Sequence, residues 1–145
     1  MFSKSCEYGL RATIYVAEQS TLNTKVGLKA IAEAIDSPEA FTGKILQALT
    51  KNNIITSIKG PYGGFIIEEY RLKEIKLSEI VKVLDGDKIY TGCGLGLKQC
   101  NETSPCPLHY KFVAVRENLR TMLEENTLYD ILYTEGKKNF LWLKR

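Results

Sequence analysis

Apolar residues in the first fifty positions recur at the three- and four-residue spacing of amphipathic helices. In the first run, for example, Leu10, Ile14 and Ala17 fall on one helix face. Three such helices are predicted, over residues 7–19, 28–35 and about 38–51. Asn52 and Asn53 suit the end of the third helix, because asparagine tolerates the left-handed backbone conformation that closes many helices.

The pattern changes after Asn53, where β-branched and aromatic residues become dense. This composition favours two short strands over residues 54–58 and 65–67. The segment that joins them reads Lys59-Gly60-Pro61-Tyr62-Gly63-Gly64, with the glycines and the proline of a turn. Three helices followed by a hairpin are the order of elements in a winged helix-turn-helix domain.

The second half of the chain has helical spacing on both sides of a region without any period. Residues 75–84 form a short amphipathic helix, whereas residues 91–107 are rich in glycine and cysteine and are predicted to form a loop. A long helix follows, from about residue 107 to 125. On it, four apolar residues alternate spacings of three and four, as in a heptad seam. They are Phe112, Val115, Leu119 and Met122.

The C-terminal end combines a helix signal with an apolar tail. Thr127 and Asp130 have the spacing of a capping box, which predicts a last short helix. Beyond Gly136 the tail is basic but contains the run Phe140-Leu141-Trp142-Leu143, so we expect it to dock on a surface.

The predicted fold class is mainly α with a small β wing. Residues 1–86 are expected to form a winged helix-turn-helix DNA-binding domain, and residues 87–107 a cysteine-rich loop that binds a cluster. Residues 108–133 hold a dimerisation helix and a short helix after it, and residues 134–145 form a C-terminal tail. The sequence shows no internal repeat and no low-complexity linker.

Composition narrows the class of protein without naming a partner. Of 145 residues, 44% are hydrophobic and 26% are charged, which is typical of a globular domain. Twenty Lys and Arg against seventeen Asp and Glu leave a net charge of +3, too small to indicate nucleic-acid binding by itself. No run approaches the length of a membrane helix, and charges at Lys4, Glu7 and Arg11 argue against a secretory signal. We therefore expect a cytoplasmic protein.

Three thiols and the single imidazole lie within seventeen residues, in the pattern Cys93-x6-Cys100-x5-Cys106-x2-His109. Gaps of six and five are longer than the two to four residues that zinc sites favour between paired cysteines. Thiolates are the preferred ligands of iron–sulfur clusters, which such gaps suit better. A structural zinc ion, free reduced thiols and a disulfide switch remain alternatives. Cys6 stands apart and is expected to be a small buried hydrophobe.

Polar residues on the third helix and at the turn of the hairpin are the candidates for DNA contact. Glu39, Thr42 and Lys44 lie away from the apolar stripe, where a recognition helix offers side chains to base edges. Lys59 and Tyr62 are at the tip of the wing, where a cation and backbone N–H groups could meet phosphate or the minor groove.

The sequence resembles the IscR/NsrR-type (Rrf-type) family of winged helix-turn-helix bacterial transcription regulators, over about residues 1 to 133. Four features carry the resemblance: Tyr8-Gly9-Leu10-Arg11-Ala12, the stretch from Lys44 to Leu49, the wing from Ile54 to Phe65, and the three clustered cysteines. It implies a homodimer that pairs along the long helix, through the seam defined above, and reads a palindromic operator in double-stranded DNA.

The resemblance also implies that Cys93, Cys100 and Cys106 bind an iron–sulfur cluster, 2Fe–2S or 4Fe–4S, whose state alters DNA binding and which can be absent after purification in air. Members of the family differ in the fourth ligand. His109 matches the histidine of IscR-like members, and Glu7 matches the carboxylate that NsrR-like members supply from the other subunit. We prefer Glu7, because the six-residue gap departs from the histidine pattern and His109 could face solvent.

The sequence departs from the family at positions that affect recognition. Gly43 replaces an acidic residue of the recognition helix, and Lys59 stands where arginine is common, which loses bidentate reading of guanine. No nucleophile–base motif or phosphate-binding glycine loop is present, which argues against an enzyme. The alternatives are a cluster-free regulator with thiol/disulfide or zinc switching, and a small iron–sulfur redox protein.

Overall fold

A computed structural model describes residues 1–138 and Leu143, and within them the chain is mainly helical. The α-helices are α1 (Lys4–Thr21), α2 (Leu28–Ile35), α3 (Glu39–Lys51), α4 (Leu77–Asp85), α5 (Lys88–Thr91), α6 (His109–Glu125) and α7 (Leu128–Leu132). A 3-10 helix covers Glu69–Lys73. Two antiparallel hairpins pair β1 (Thr56–Ile58) with β2 (Gly64–Ile66) and β3 (Tyr133–Thr134) with β4 (Lys137–Lys138). The predicted mainly α class with a small β wing is confirmed.

Helix α1 lies at the centre of the fold and contacts α2, α3, α4, α7, the 3-10 helix and β2. It begins three residues before the predicted start, because the Ser3 side chain caps it by accepting a hydrogen bond from the Cys6 amide at 3.1 Å. Its buried positions are mostly small, among them Gly9, Ala12 and Ala17. Small side chains let several neighbouring elements approach one helix.

Gly9 marks the closest of these approaches. A Cβ atom added there would lie 2.1 Å from Cδ1 of Leu84 in α4 and 3.3 Å from Cγ2 of Ile45 in α3. One turn later, the buried Thr13 hydroxyl donates to the Gly9 carbonyl at 2.7 Å, so this polar group is satisfied inside the helix. The missing side chain at Gly9 therefore sets how closely α1, α3 and α4 pack.

The core is one cluster of buried apolar residues from the 3-10 helix, from every α-helix except α5 and from the loops beside them. Its fully buried large side chains include Ile31 and Ile35 of α2, Leu46 of α3 and Ile80 of α4. Burying each such side chain stabilises the folded state by about 1.5–3 kcal/mol before the cost of ordering it is counted. The spacing of these residues agrees with the helical periods seen in the sequence.

The wing is shorter at its start than the sequence predicts. Ile54 and Ile55 were expected in the first strand, but both are buried in the core, and β1 begins only at Thr56. The register pairs Thr56 with Ile66 and Ile58 with Gly64. On the other side of β2, an isolated antiparallel bridge joins Val26 to Phe65. This bridge holds the segment between α1 and α2 against the wing.

The C-terminal elements pack back onto the N-terminal ones. The predicted capping box is confirmed, since the amide and hydroxyl of Thr127 both donate to the Asp130 carboxylate at 2.8 Å. Leu123 near the end of α6 and Leu128 at the start of α7 are buried in the same core as α1. The predicted docking of Phe140, Leu141 and Trp142 concerns residues outside the described ones. In the part of the chain that the structure describes, no helix is long and apolar enough to cross a membrane.

Two helical glycines give a matched test of the packing at Gly9. Alanine favours a helix over glycine by about 1 kcal/mol, and this gain is common to Gly9→Ala and Gly43→Ala. At Gly43 the nearest atom to an added Cβ is Cδ2 of Leu28 at 3.5 Å, an ordinary contact. We expect Gly43→Ala to raise the free energy of unfolding. The free energy of unfolding of Gly9→Ala should be lower than that of Gly43→Ala by about 1–3 kcal/mol, because the added methyl group overpacks the site.

Urea denaturation of both variants beside the unsubstituted chain measures this difference. Equal stabilisation by the two substitutions would mean that Leu84 moves aside freely, and that Gly9 does not set the distance between the helices.

Candidate functional site

The exposed side of α3 carries one alanine and three polar residues at helical spacing. Ala40, Lys44, Gln47 and Lys51 are all exposed and are separated by four, three and four positions, so they share one face. Leu46 lies on the opposite, fully buried face. We call these four residues the α3 outer face. Gln47 and Lys51 were not among the predicted contacts, although their spacing from Lys44 could have identified them.

The prediction that Thr42 offers its side chain to DNA bases is wrong for this arrangement. Thr42 has no exposed surface, and its hydroxyl donates to the Pro38 carbonyl at 2.9 Å and lies 3.0 Å from the Ser37 hydroxyl. The residue therefore holds the first turn of α3 together. Glu39, in that same turn, is exposed.

The wing tip presents Lys59 and Tyr62 to solvent, with Tyr62 89% exposed. Lys25, which precedes α2, donates from Nζ to the Tyr62 carbonyl at 3.3 Å and so tethers the tip. Only glycine fits at position 63 without a steric clash, because an added Cβ would lie 2.0 Å from the Ile58 carbonyl oxygen. The tip is therefore fixed by a hydrogen bond from the Lys25 side chain and by a turn that has no room for a side chain at Gly63.

A groove of about 660 Å³ runs between α3 and the wing. Its lining residues are Gly43, Gln47, Thr50, Lys51, Ser57, Lys59 and Phe65. The only ion pairs in the described part of the chain are Lys4–Glu7 and Glu117–Arg120, so the lysines of this groove have no carboxylate partner there. Unpaired cations around a groove suit the phosphates of DNA.

The cysteine-rich loop starts and ends at well-defined elements. Helix α4 ends at Asp85, Gly86 follows it with a φ of 66°, and the four-residue α5 comes before the loop. The loop of residues 92–108 then leads directly into α6. Cys93, Cys100 and Cys106 are each half-buried, whereas most residues between them are exposed.

His109 is the first residue of α6, and it does not face solvent, which was the possibility that had favoured Glu7. It is 5% exposed, and its Nδ1 lies 3.2 Å from Sγ of Cys100. Its backbone N–H donates to the Cys106 carbonyl at 2.9 Å. The histidine therefore contacts two of the three cysteine positions, one through its ring and one through its backbone.

Cys93 and Cys106 form a second pair of candidate donors, close enough for their thiols to interact. The pKa of the Cys93 thiol is lowered, chiefly by the backbone N–H groups of Leu95 and Leu97, with a smaller contribution from the Cys106 thiol. Among residues 1–138 and 143, no three Cys, His, Asp or Glu side chains meet closely enough to hold a metal ion. The donors suit an iron–sulfur cluster chemically, but they lie in two pairs that would have to converge.

The loop is fastened to the side of α6. Arg116 donates through Nη1 to the Gly92 carbonyl at 2.5 Å, and both its terminal nitrogens lie 3.9 Å from Sγ of Cys100. Phe112 fills the space beside Gly94, where an added Cβ would lie 2.2 Å from the ring. The position of the cysteines is therefore linked to two residues of one helix.

Glu7 and Cys6, the candidates on α1, have other partners. The Glu7 carboxylate lies 2.9 Å from Nζ of Lys4, and this hydrogen bond is the main cause of its lowered pKa. Cys6 is fully buried, as expected from the sequence. Burial, followed by the nearby Asp85 carboxylate, raises the pKa of its thiol to about 12. A thiol that resists ionisation is a poor metal ligand.

The four residues of the predicted seam divide into two kinds. Val115 and Met122 are 53% and 47% exposed, and at seven residues apart they share a face of α6. Phe112 and Leu119 are half-buried and line a groove of about 400 Å³ beside Cys93 and the chain start. The exposed pair thus forms an apolar stripe along α6, with Val115 at the edge of the groove that Cys93 lines.

The fold agrees with what the chain matches among known proteins. Residues 2–134 match Rrf2, a family described as iron-dependent transcriptional regulators. The chain belongs to the Rrf2 family. It is therefore a DNA-binding transcriptional regulator and not an enzyme, as the sequence predicts.

Individual relatives extend this similarity over nearly the whole chain. An HTH-type transcriptional regulator of Aquifex aeolicus is 28% identical over 142 residues, which cover 97% of this chain and 96% of the relative. Among solved structures, CymR, the global cysteine regulator of Bacillus subtilis, aligns with a TM-score of 0.71 at 22% identity over 90% of this chain and 95% of its own. IscR of T. potens aligns with a TM-score of 0.69 at 25% identity, and the alignment covers 91% of this chain and 85% of the IscR chain. These neighbours confirm the winged-helix fold.

Lys59 gives a direct test of the wing as part of the DNA surface. Replacing it with alanine removes one cation from the groove, so we expect weaker binding to a random-sequence duplex. The slope of log K against log salt concentration should become shallower by about 0.9, which corresponds to one lost phosphate contact.

Lys111→Ala is the matched control, since Lys111 is an exposed lysine on α6, outside the α3 outer face and the wing. Fluorescence anisotropy at several salt concentrations measures both variants. A slope that Lys59→Ala leaves unchanged would exclude the wing tip from the phosphate contacts.

Proposed function

We propose that this Rrf2 regulator is a homodimer whose binding to a palindromic operator is controlled by an iron–sulfur cluster at the cysteine loop. The observation that carries the proposal is the contact of His109 with Cys100 at the first turn of α6. It joins a thiol to an imidazole where the loop enters the helix, and it leaves Cys93 and Cys106 as a neighbouring pair.

Cys93, Cys100 and Cys106 would hold the cluster, with His109 as the fourth ligand. We now favour His109 over Glu7, because its ring is buried against Cys100, whereas the Glu7 carboxylate is bound by Lys4. The lowered pKa of Cys93 supports the thiolate form that a cluster requires. Bound in this way, an iron–sulfur cluster would supply a sulfur-ligated centre that responds to oxidation, nitric oxide or iron supply.

Helix α6 offers the route from the loop to the DNA surface. Its first residue, His109, contacts Cys100, and Leu123 near its other end is buried in the core around α1. A change in the loop that favours one position of α6 would therefore be felt by the domain that carries α3. Such coupling assumes two arrangements of the dimer that bind DNA differently. The loop can change DNA affinity only as far as its state changes the relative stability of these two arrangements.

A second candidate, a cluster-free regulator with a thiol switch, is favoured by one contact. Cys93 and Cys106 are close enough for their thiols to interact, and the Cys93 thiol ionises more readily than usual. A peroxide could take two electrons and two protons from the pair and leave a disulfide. The visible spectrum of protein purified without oxygen separates the candidates, since a cluster absorbs there and a disulfide or a zinc ion does not.

The ligand assignment predicts which variants lose iron. Each of Cys93→Ala, Cys100→Ala and Cys106→Ala should lose most of the bound iron after anaerobic reconstitution, because each leaves too few sulfur ligands. Cys6→Ala is the matched control and should keep the iron, since Cys6 lies in the core, away from the loop. Iron and sulfide counting with the visible spectrum gives both answers.

The fourth ligand is decided by His109→Ala and Glu7→Ala prepared side by side. We expect His109→Ala to alter the spectrum and Glu7→Ala to leave it unchanged. The opposite result would restore Glu7, reaching across from the second subunit. A spectrum unchanged by both substitutions would mean a ligand from outside the chain.

The proposed dimer seam is tested at its exposed residues. Carboxylates at Val115→Glu and Met122→Glu would repel one another across a symmetric seam, so we expect the double variant to be monomeric. Val113→Glu is the control, because it places a carboxylate on another face of α6. Sedimentation measures the mass of each. A dimeric double variant would place the seam elsewhere.

A further inference from the structure

Arg116 stands out because its guanidinium has no acidic partner. The ion pairs within the described residues do not include it, and its side chain is half-buried. Burying part of an arginine is costly unless its N–H groups find acceptors. The acceptors here are the Gly92 carbonyl and the Cys100 sulfur, both in the cysteine loop.

These two acceptors are eight residues apart in the sequence. Gly92 is the residue before Cys93, and its carbonyl lies 2.5 Å from Nη1 of Arg116. Cys100 lies 3.9 Å from both terminal nitrogens, within reach of a hydrogen bond to sulfur. A guanidinium fork can hold two such points at once, which an ammonium group cannot do with the same geometry.

His109 and Arg116 hold Cys100 from the same face of α6. They are seven residues apart, which is about two helical turns, so their side chains point in nearly the same direction. The His109 ring approaches the sulfur to 3.2 Å and the guanidinium approaches it to 3.9 Å. The second cysteine is thus located relative to α6 by two residues, and the first by the bond to Gly92.

We propose that Arg116 is a positioning residue that fixes Cys93 and Cys100 relative to each other and to α6. It binds no cluster itself. Its contact with Cys100 places a hydrogen-bond donor and a positive charge beside a ligand sulfur. Hydrogen bonds to ligand sulfur are among the factors that set the reduction potential of iron–sulfur centres. This second part rests on the proposed cluster, whereas the anchoring of the loop does not.

The first test uses the reduced, metal-free protein. Lys98 is the only tryptic site in residues 92–108, so its cleavage rate reports how often the loop opens. Arg116→Met keeps the apolar stem but removes the donors, and we expect cleavage about fivefold faster, as for loss of one ordinary hydrogen bond. Lys111→Met, which removes one cation from the same helix, should cleave like the unsubstituted chain.

Arg116→Lys separates the fork from the charge. It keeps the cation but cannot hold both acceptors, so we expect cleavage to stay faster than in the unsubstituted chain. Wild-type protection in Arg116→Lys would overturn the two-point anchor, and wild-type protection in Arg116→Met would overturn the proposal entirely. Neither result depends on whether a cluster binds.

The second test uses protein reconstituted with iron and sulfide without oxygen. Arg116→Met and Lys111→Met lose the same charge, so a lower midpoint potential in Arg116→Met alone would isolate the contact with Cys100. Equal potentials would overturn the contact with sulfur. If the unsubstituted chain takes up no iron, the proposed function fails, and the cleavage rates still decide the role of Arg116.

Discussion

The close approach of α1, α3 and α4 at Gly9 is the constraint on which the rest of the structure depends. Because α1 has small residues on its inner faces, three helices can pack around it without large side chains between them. That packing buries one face of α3 and turns the other outward beside the wing. It also brings Asp85, at the end of α4, to the start of α1, where its carboxylate accepts the amide and hydroxyl hydrogens of Ser3.

The two surfaces obtain their properties from local contacts, since the net charge of +3 is small. Around the groove, lysines lie apart from carboxylates, so a modest number of cations faces one direction. At the loop, the backbone N–H groups of Leu95 and Leu97 lower the pKa of the Cys93 thiol. A weakly basic chain can therefore place unpaired lysines around one groove and lower the pKa of a thiol elsewhere.

Regular periods made much of the fold predictable from the sequence. The long helices follow the spacing of their apolar residues, and the cap at Thr127 and the left-handed Asn53, with φ of 60°, depend on neighbours within a few positions. Helix α5 and the hairpin of β3 and β4 were missed, because two to four residues are too few to show a period. Other features were missed because they depend on tertiary packing. They are the burial of Thr42 and His109, the hydrogen bond from Lys25 to Tyr62 and the hydrogen bond from Arg116 to Gly92. Such contacts decide which polar residues of a predicted site remain available.

The length of helix α6 restricts which insertions and deletions the sequence can accept. It spans seventeen residues, or about 25 Å, with the cysteine loop at one end and Leu123 in the core near the other. Inserting or deleting one residue between Arg116 and Leu123 would rotate the loop by about 100° about the helix axis relative to the core. The exposed stretches between the cysteines can gain or lose residues with far smaller effect. Length variation should therefore accumulate in the gaps between Cys93, Cys100 and Cys106, while α6 keeps its number of residues.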